Sequence, residues 1–302
     1  MQHKLLKVKK ICFFCLLFIF LDICLADNIK IEIPSKLGIG QAFLLKVSSK
    51  DKIDKIIIKW DKKSIKPFIK EYNGYFEAME ILGIGLNNKL GKYPLSIKVT
   101  QDGKTQKINR FIDIIDVNYA SEKISVKPSL VKPPKKLNER LKKERKAILN
   151  AINTRTIKQY WKLPFYRPVG GIMLSRFGLK RTFNKEIKRR HRGLDFRARE
   201  GTPIHSITNG KIVLSGEFYF CGNAIVIDHG TGLISLYCHM SQLFLKKGDY
   251  VVSGQKIGLA GSTGRVTAAH LHLSMYANGR VIDPEPFFNN TLDSYKQWQS
   301  EN

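Results

Sequence analysis

The chain has 302 residues, 43% of them hydrophobic, and is therefore long enough for two domains that each bury a core. Its 52 Lys and Arg outnumber its 25 Asp and Glu, and the formal net charge of +27 predicts affinity for polyanions. No zinc-finger, RNA-recognition or helix-turn-helix pattern accompanies this charge, so nucleic acid is excluded as the expected partner.

The first 26 residues have the pattern of a secretory signal peptide. Lysines at positions 4, 7, 9 and 10 precede an apolar run from Ile11 to Leu21, and Cys24-Leu25-Ala26 is a small-residue ending. We predict cleavage after Ala26. Asp22 shortens the apolar run below the roughly 20 residues that span a bilayer, so no stable membrane span is expected after cleavage. A lipid-modified Cys24 is the alternative, although Asp22 and Ile23 fit a lipobox poorly.

Residues 27–120 are predicted to form an accessory β-domain. Apolar residues alternate with polar ones in several short segments, which include Ile29, Ile31 and Ile33, and an Asp102-Gly103 turn joins two further strands. Short strands with regular turns predict an immunoglobulin-like β-sandwich. This segment contains no histidine, so we assign it a positioning or regulatory role. Carbohydrate binding stays open, with Trp60, Tyr72 and Tyr75 as candidate aromatics, although core packing is the favoured role of Trp60.

Residues 121–160 are predicted to be a linker with one helix. Lys127-Pro128 and Lys132-Pro133-Pro134 mark the linker. Apolar residues then recur at helical spacing from about Lys135 to Asn153, which predicts an amphipathic helix that packs on either domain or covers the catalytic groove.

Residues 161–290 are predicted to be a second, antiparallel β-domain, followed by a tail at 291–302. Asn209-Gly210 predicts a hairpin between strands at 203–208 and 211–215, and Asp228-His229-Gly230 predicts a second hairpin. Cys221 and Cys238 lie on the strands of that second hairpin. A disulfide between them is one possibility in an oxidising compartment.

Two short fragments of this domain carry the chemistry. If residues 191–196 are extended, His191, Gly193 and Asp195 project from one face, and Gly193 leaves room between the other two side chains. The same period places His270 and His272 on one face. Catalytic zinc commonly takes three protein ligands and keeps a fourth position open. These four groups are therefore candidates for three ligand positions, and His239 is a further imidazole on a neighbouring strand.

The order of the motifs from Met173 to Phe288 resembles the lysostaphin/LytM-type zinc endopeptidases, which cut peptide bridges in bacterial cell walls. The motifs are His-x-Gly-x-Asp, Gly222-Asn223, Tyr237-Cys238-His239, Gly254-Gln255-Lys256-Ile257-Gly258 and His270-Leu271-His272. The resemblance implies one Zn²⁺ per chain on His191, Asp195 and His272. It also implies that His239 and His270 flank the metal and assist catalysis. Asn223 and Arg181 are candidate substrate-binding residues, and the loop from Arg181 to Arg190 is expected to border the groove.

The resemblance also implies the substrate and the compartment. We expect a zinc metalloendopeptidase that hydrolyses peptidoglycan peptide cross-links, most simply as a D,D-endopeptidase, in the periplasm or cell envelope. An anionic cell-wall polymer is the partner that the basic charge favours. The alternative is a non-enzymatic scaffold of the same family that activates a cell-wall amidase. Because such scaffolds lack ligands and this chain keeps all five positions, the enzyme is favoured.

Overall fold

The structure is a computed structural model that describes residues 21–26, 28–124, 133–183 and 187–288. It is mainly β, as predicted. Three sequence predictions fall wholly or mostly outside the described residues: most of the signal peptide, the linker up to Lys132 and the tail from 291. Within the described part of the chain, no helix is both long and apolar enough to cross a membrane.

Two five-stranded sheets form the N-terminal domain. In order across each sheet, the strands are β1-β2-β4-β8-β7 and β3-β10-β9-β5-β6. Most pairs are antiparallel, and β3 runs parallel to β10. The strands are β1 (Leu21–Ala26), β2 (Ile29–Pro34), β3 (Lys36–Gly38), β4 (Ala42–Ser49), β5 (Lys55–Trp60), β6 (Lys63–Ile65), β7 (Ile69–Tyr72), β8 (Tyr75–Gly83), β9 (Gly91–Gln101) and β10 (Lys104–Ile115).

The core of this domain lies between the two sheets. Alternate residues of β2, such as Ile29 and Ile31, pack with Ile56 of β5 and Ile97 of β9, all of them at most 2% exposed. The period-two pattern therefore predicted the buried faces correctly. Trp60 is a core residue whose indole N–H donates to the Gly83 carbonyl. The two packed sheets form a sandwich, and its immunoglobulin-like character stays a prediction.

One strand and one helix connect the domains. Strand β11 (Ser121–Ile124) pairs in parallel with a strand of the second domain. A 3-10 turn at Lys135–Leu137 leads into helix α1 (Asn138–Ile152), close to the predicted bounds. Ala151 and Ile152 are buried, and the Glu144 carboxylate accepts the Tyr219 backbone N–H at 2.8 Å. The helix thus packs on the second domain.

The second domain is built on a sheet with the central order β12-β15-β22-β19-β18-β17-β20, to which β16, β21 and β23 are attached. A separate hairpin, β13 and β14, pairs with β11. The strands are β12 (Met173–Ser175), β13 (Lys180–Phe183), β14 (Ile187–Arg190), β15 (Leu194–Arg197), β16 (Pro203–His205), β17 (Gly210–Phe218), β18 (Gly222–Asp228), β19 (Leu233–Leu243), β20 (Tyr250–Val251), β21 (Lys256–Ala260), β22 (His270–Ala277) and β23 (Arg280–Ile282).

Two local predictions for this domain were wrong. Asn209-Gly210 is not a hairpin turn, because β16 pairs with β21, while Gly210 pairs with Val251 of β20. A Cβ on Gly210 would lie 2.7 Å from the Asp228 carbonyl oxygen, so close packing explains this glycine. The segment 181–190, predicted as a loop, instead supplies both strands of the β13–β14 hairpin. The Asp228 to Gly230 turn does join β18 to β19 as predicted.

The two domains pack directly on each other. A Cβ on Gly83 of β8 would lie 2.3 Å from a methyl group of Ile282 in β23. Arg155 pairs with buried Glu80, and Arg280 pairs with Asp61. Tyr119 packs against both hydrophobic cores. Through these contacts, the two domains share one interface.

His229, in the turn between β18 and β19, predicts a dependence of stability on pH. Its ring is fully buried between the Asn209 carbonyl and the Ser235 hydroxyl. Burial lowers its pKa to about 4, although the hydrogen bond to Asn209 opposes this. The unfolded chain binds a proton near pH 6.5 and the folded chain does not, so acidification favours unfolding. We expect this site to cost about 2 kcal/mol of unfolding free energy between pH 7 and 5.

The measurement is the thermal midpoint at pH 7 and pH 5 for the wild-type chain and for His229→Gln. The variant should lose less stability on acidification than the wild type. Equal pH dependence of the two proteins would contradict the assignment.

Candidate metal centre

Strands β15 and β22 position the candidate ligands. The two strands are antiparallel neighbours, and their register places Asp195 directly opposite His272. His191 lies after the end of β14, and a bend at Gly193 separates it from β15, so the predicted continuous strand over 191–196 begins only at Leu194. The three side chains nevertheless converge.

The converging atoms are two imidazole nitrogens and one carboxylate oxygen. His191 Nε2 lies 3.0 Å from Asp195 Oδ1, His272 Nδ1 lies 2.8 Å from the same oxygen, and the two nitrogens are 3.1 Å apart. Around a tetrahedral zinc ion with bonds near 2.0–2.1 Å, ligand atoms are separated by about 3.3 Å. The donor set and the spacing therefore fit one divalent ion with a fourth position left for another ligand.

Hydrogen bonds on the far side of each ring fix which nitrogen faces the centre. His191 Nδ1 lies 2.9 Å from the Arg176 carbonyl oxygen, which can only accept, so this nitrogen carries the proton and Nε2 is free to coordinate. His272 Nε2 lies 2.9 Å from the Ser274 hydroxyl, which leaves Nδ1 for the metal. Outer partners of this kind commonly orient metal-binding histidines.

The carboxylate of Asp195 is held in its charged form. Burial raises its pKa, but the close contacts with His191 and His272 outweigh burial and leave the pKa well below its usual range. Arg181 lies 3.5 Å from Asp195 Oδ2 and also donates to the Ser175 hydroxyl and the Glu122 carboxylate. Arg181 thus contacts a ligand, and its predicted role in substrate binding stays a prediction.

Two further histidines lie beside these ligands. His239 sits at an irregularity of β19 in a left-handed conformation with φ of 66°. Its ring is 4.9 Å from that of His270 and 6.1 Å from that of His272, measured between centroids. His270 Nε2 lies 3.7 Å from Asp195 Oδ1. The structure therefore brings together all five residues that the sequence singled out for the metal and for catalysis.

The same tautomer is imposed on both flanking histidines. His239 Nδ1 lies 3.0 Å from the Thr263 carbonyl oxygen, and His270 Nδ1 lies 2.8 Å from the Ala268 carbonyl oxygen. Each Nδ1 therefore carries the proton, and each Nε2 keeps a lone pair. Burial, followed by neighbouring His272, lowers the pKa of His239 to about 4, so this ring is neutral at pH 7.

Comparison with known proteins assigns this region to a family. Residues 189–284 match the model of Peptidase family M23, and this segment contains every candidate ligand and both flanking histidines. The C-terminal domain is a peptidase family M23 domain. The resemblance predicted from the motifs is thereby confirmed.

Curated relatives match about a third of this chain. Peptidoglycan DD-endopeptidase ShyA of Vibrio cholerae is 41% identical over 93 residues, which are 31% of this chain and 22% of that protein. DD-carboxypeptidase/endopeptidase Mpg of Neisseria meningitidis is 40% identical over 96 residues, which are 32% of this chain and 22% of that protein. The chain thus spans about a fifth of the length of these relatives.

One solved structure is similar across both domains. It is a peptidase M23 from Pseudomonas aeruginosa with a TM-score of 0.61, and the match covers 83% of this chain and 93% of that chain. The sequences are 24% identical, so the likeness concerns the fold alone. Another protein therefore has the same overall fold over most of this chain.

Asn223, Cys221 and Cys238 are the other residues of this domain for which the sequence suggested a role. Asn223 on β18 is opposite Met240, next to His239, and its side-chain amide donates to the Ser241 carbonyl at 3.3 Å. Its role in substrate binding stays a prediction. Cys221 and Cys238 are both free thiols. Burial, with a hydrogen bond donated to Cys221, raises the pKa of Cys238 well above its usual range.

The residues that orient the ligands were not predicted from the sequence. Ser274 holds the ring of His272, and Thr263 links the strands around His239 by donating to the Met240 carbonyl at 2.7 Å. Ser274 carried a usable signal, because it is two residues from His272 on the same strand and so shares its face. Glu122 carried none, because its contact with Arg181 joins segments 59 residues apart.

Gly193 of the M23 domain provides a test of the ligand geometry. A Cβ there would lie 2.3 Å from the Leu273 carbonyl oxygen and 2.8 Å from His272 Cε1. We expect Gly193→Ala to lower the free energy of unfolding by about 2 kcal/mol or more and to weaken metal binding, because β22 must shift. Thermal unfolding and metal titration measure these effects. Gly170→Ala is the matched control, since a Cβ at Gly170 meets nothing within 4 Å; equal behaviour of the two variants would contradict the expectation.

Proposed function

We propose that this protein is a zinc metalloendopeptidase that hydrolyses the peptide cross-links of bacterial peptidoglycan. The observation that carries the proposal is the convergence of His191, Asp195 and His272, with ligand atoms 2.8–3.1 Å apart, beside two more histidines with free Nε2 atoms. The name of the relative ShyA, a peptidoglycan DD-endopeptidase, supports this substrate class.

The ligands, with Ser274 and the Arg176 carbonyl behind them, would hold the ion. A bound zinc ion supplies Lewis acidity, which makes a peptide carbonyl more electrophilic and a water molecule more acidic. His239 and His270 each accept a proton at Nε2 and, once protonated, donate a hydrogen bond from the same atom. Either ring can therefore take the proton of the attacking water at Nε2 and, once protonated, donate a hydrogen bond from that atom to the oxygen of the scissile carbonyl.

The bond that is cut, the compartment and the identity of the metal are further parts of the proposal. We infer a D,D-endopeptidase that acts in the periplasm or cell envelope and is exported by a signal peptide over residues 1–26, whose cleavage would remove the edge strand β1 (Leu21–Ala26) from its sheet. The predicted anionic cell-wall polymer remains part of this proposal, with the net charge of +27 as its support. Zn²⁺ is proposed as the metal because two imidazoles and one carboxylate are a common catalytic zinc set.

Digestion of purified sacculi tests this function. The purified protein should contain one zinc ion per chain and should convert cross-linked muropeptide dimers into monomers, as identified by mass spectrometry. The masses of the products also identify the bond that is cut. Dimers that persist in the presence of stoichiometric zinc would overturn the endopeptidase and would favour the scaffold that activates an amidase.

A further inference from the structure

A large cleft lies between the two domains, away from the metal centre. Its volume is about 800 Å³. One wall is the outer face of the sheet that contains β2, β4, β7 and β8, and the opposite wall is the segment from Gln159 to Leu163. Trp161 of this segment donates to the Thr231 hydroxyl, close to the start of β19. His239 lies six residues beyond Leu233 on that strand, so the cleft is roughly 20 Å from the metal centre.

The cleft is rich in cations. Lys30, Lys46, Lys70 and Lys162 line it, whereas Glu77 is the acidic residue of the lining. Lys30 lies 3.6 Å from Glu32 and Lys46 pairs with Glu77, so among the described residues the positive charge for a ligand comes from Lys70 of the sandwich and from Lys162 on the opposite wall. An anionic ligand is the complement of this lining.

Two tyrosines stand at one end of the cleft. Tyr72 and Tyr75 form the last pair of the β7–β8 hairpin, across an Asn73-Gly74 turn whose residues both have positive φ. Their side chains are 51% and 37% exposed, and Lys70 Nζ lies 5.2 Å from the Tyr72 ring centroid. Exposed rings that are held rigidly by a tight turn, with ammonium groups beside them, provide flat apolar surfaces next to positive charge. Sugar rings that carry carboxylates match both properties.

The floor of the cleft is polar although it is buried. Lys46 and Glu77 form an ion pair at 2.8 Å, with side-chain exposures of 9% and 5%. Glu77 Oε2 meets no hydrogen-bond donor in the described part of the chain. Burying such a pair is expensive, and apolar residues would join two domains more favourably. A polar floor is instead suited to a ligand with many hydroxyl and amide groups, which can donate to a carboxylate.

We propose that this cleft is a second binding site for a glycan strand that bears carboxylates on its sugars or on attached peptides, and that it holds the polymer while a distant bond is cut at the metal centre. The identity of the glycan as a peptidoglycan strand rests on the proposed function. The site itself rests on the lysines, the tyrosine pair and the polar floor. The cleft and the metal centre are roughly 20 Å apart, so the sugars bound in the cleft lie several sugar units away from the scissile cross-link.

Co-sedimentation with purified sacculi tests the site independently of catalysis. The parent is the full-length Asp195→Asn protein, which leaves the polymer undigested. Adding Lys70→Glu and Lys162→Glu, or Tyr72→Ala and Tyr75→Ala, should weaken binding by about tenfold. The matched control is Lys104→Glu with Lys107→Glu, two exposed lysines on β10, and should stay within about twofold of the parent. Equal binding by all four proteins would overturn the proposal.

Two further probes separate the alternatives. Glycan strands stripped of their stem peptides should compete with sacculi, and vesicles containing phosphatidylglycerol should not. Competition by vesicles alone would overturn the glycan in favour of a membrane surface. In proteins that keep Asp195, the Lys70→Glu and Lys162→Glu pair should slow the digestion of sacculi about tenfold and leave cleavage of a soluble muropeptide dimer unchanged. Equal slowing of both substrates would place the lysines in the catalytic groove and overturn a separate site.

If the wild-type chain cleaves neither substrate, the proposed endopeptidase fails while the co-sedimentation result still decides the cleft. Circular dichroism of every variant verifies that lost binding does not come from unfolding.

Discussion

Replacing Asp195 by Asn is expected to abolish metal-dependent hydrolysis. The Asp195 carboxylate contacts both ligand histidines and supplies the one negative charge among the three ligands. The amide of Asn is nearly the same size but neutral, and its NH₂ group is a donor that cannot coordinate. We expect the metal content to fall to a small fraction of one per chain and muropeptide release to fall about a thousandfold or more. Elemental analysis and mass spectrometry of digests measure the two effects.

Asp54→Asn is the matched control for this substitution. Asp54 pairs with Lys52 on the surface of the sandwich at 3.9 Å, so neutralising it should change neither the metal content nor the activity. An Asp195→Asn protein with a full metal complement and wild-type digestion would show that the three-residue cluster is not the catalytic centre.

Replacing His239 is expected to give the second large effect, with the metal retained. His239→Asn is the suitable substitution, because Asn tolerates the left-handed conformation that this position requires, with φ of 66°. The three ligands stay in place, but the proton acceptor at Nε2 is lost. We expect kcat to fall by roughly 10²–10⁴ while the zinc content stays at one per chain. His270→Asn should behave similarly, since its ring has the same tautomer and lies 4.9 Å away.

Steady-state kinetics on a soluble cross-linked dimer, together with metal analysis, check this expectation. His205→Asn is the control, because His205 packs against Tyr166 and lies outside the five-residue centre. Loss of zinc in His239→Asn would assign this residue to the ligand set, and an unchanged kcat would remove it from the chemistry.

The metal centre was predictable from the sequence because its ligands lie on or next to adjacent strands. Period-two alternation fixes which side chains share a face, and the order of the motifs identified the family. The alternation cannot set the register between strands, which is what places Asp195 opposite His272. The family resemblance selected His191, Asp195 and His272 as the ligands from the four candidate groups.

Other elements were mispredicted because local signals were overruled by packing. Asn209-Gly210 has the composition of a tight turn, yet Gly210 is needed where β17 passes close to the Asp228 carbonyl. The basic segment 181–190 looked like a loop because nothing local shows that β11 will pair with β13. The cleft between the domains was equally hidden, since its two walls are separated by about 80 residues of sequence.

Tyr119 has a consequence for how the molecule melts. Its hydroxyl donates to the Ile39 carbonyl at 2.8 Å in the sandwich, and its ring packs at 6.1 Å from Phe177 of the M23 domain. The Tyr119 side chain thus packs in both hydrophobic cores. Unfolding of either domain exposes it to solvent. Calorimetry should therefore record a single cooperative endotherm, and Tyr119→Ala should lower its midpoint while the other contacts between the domains keep it single.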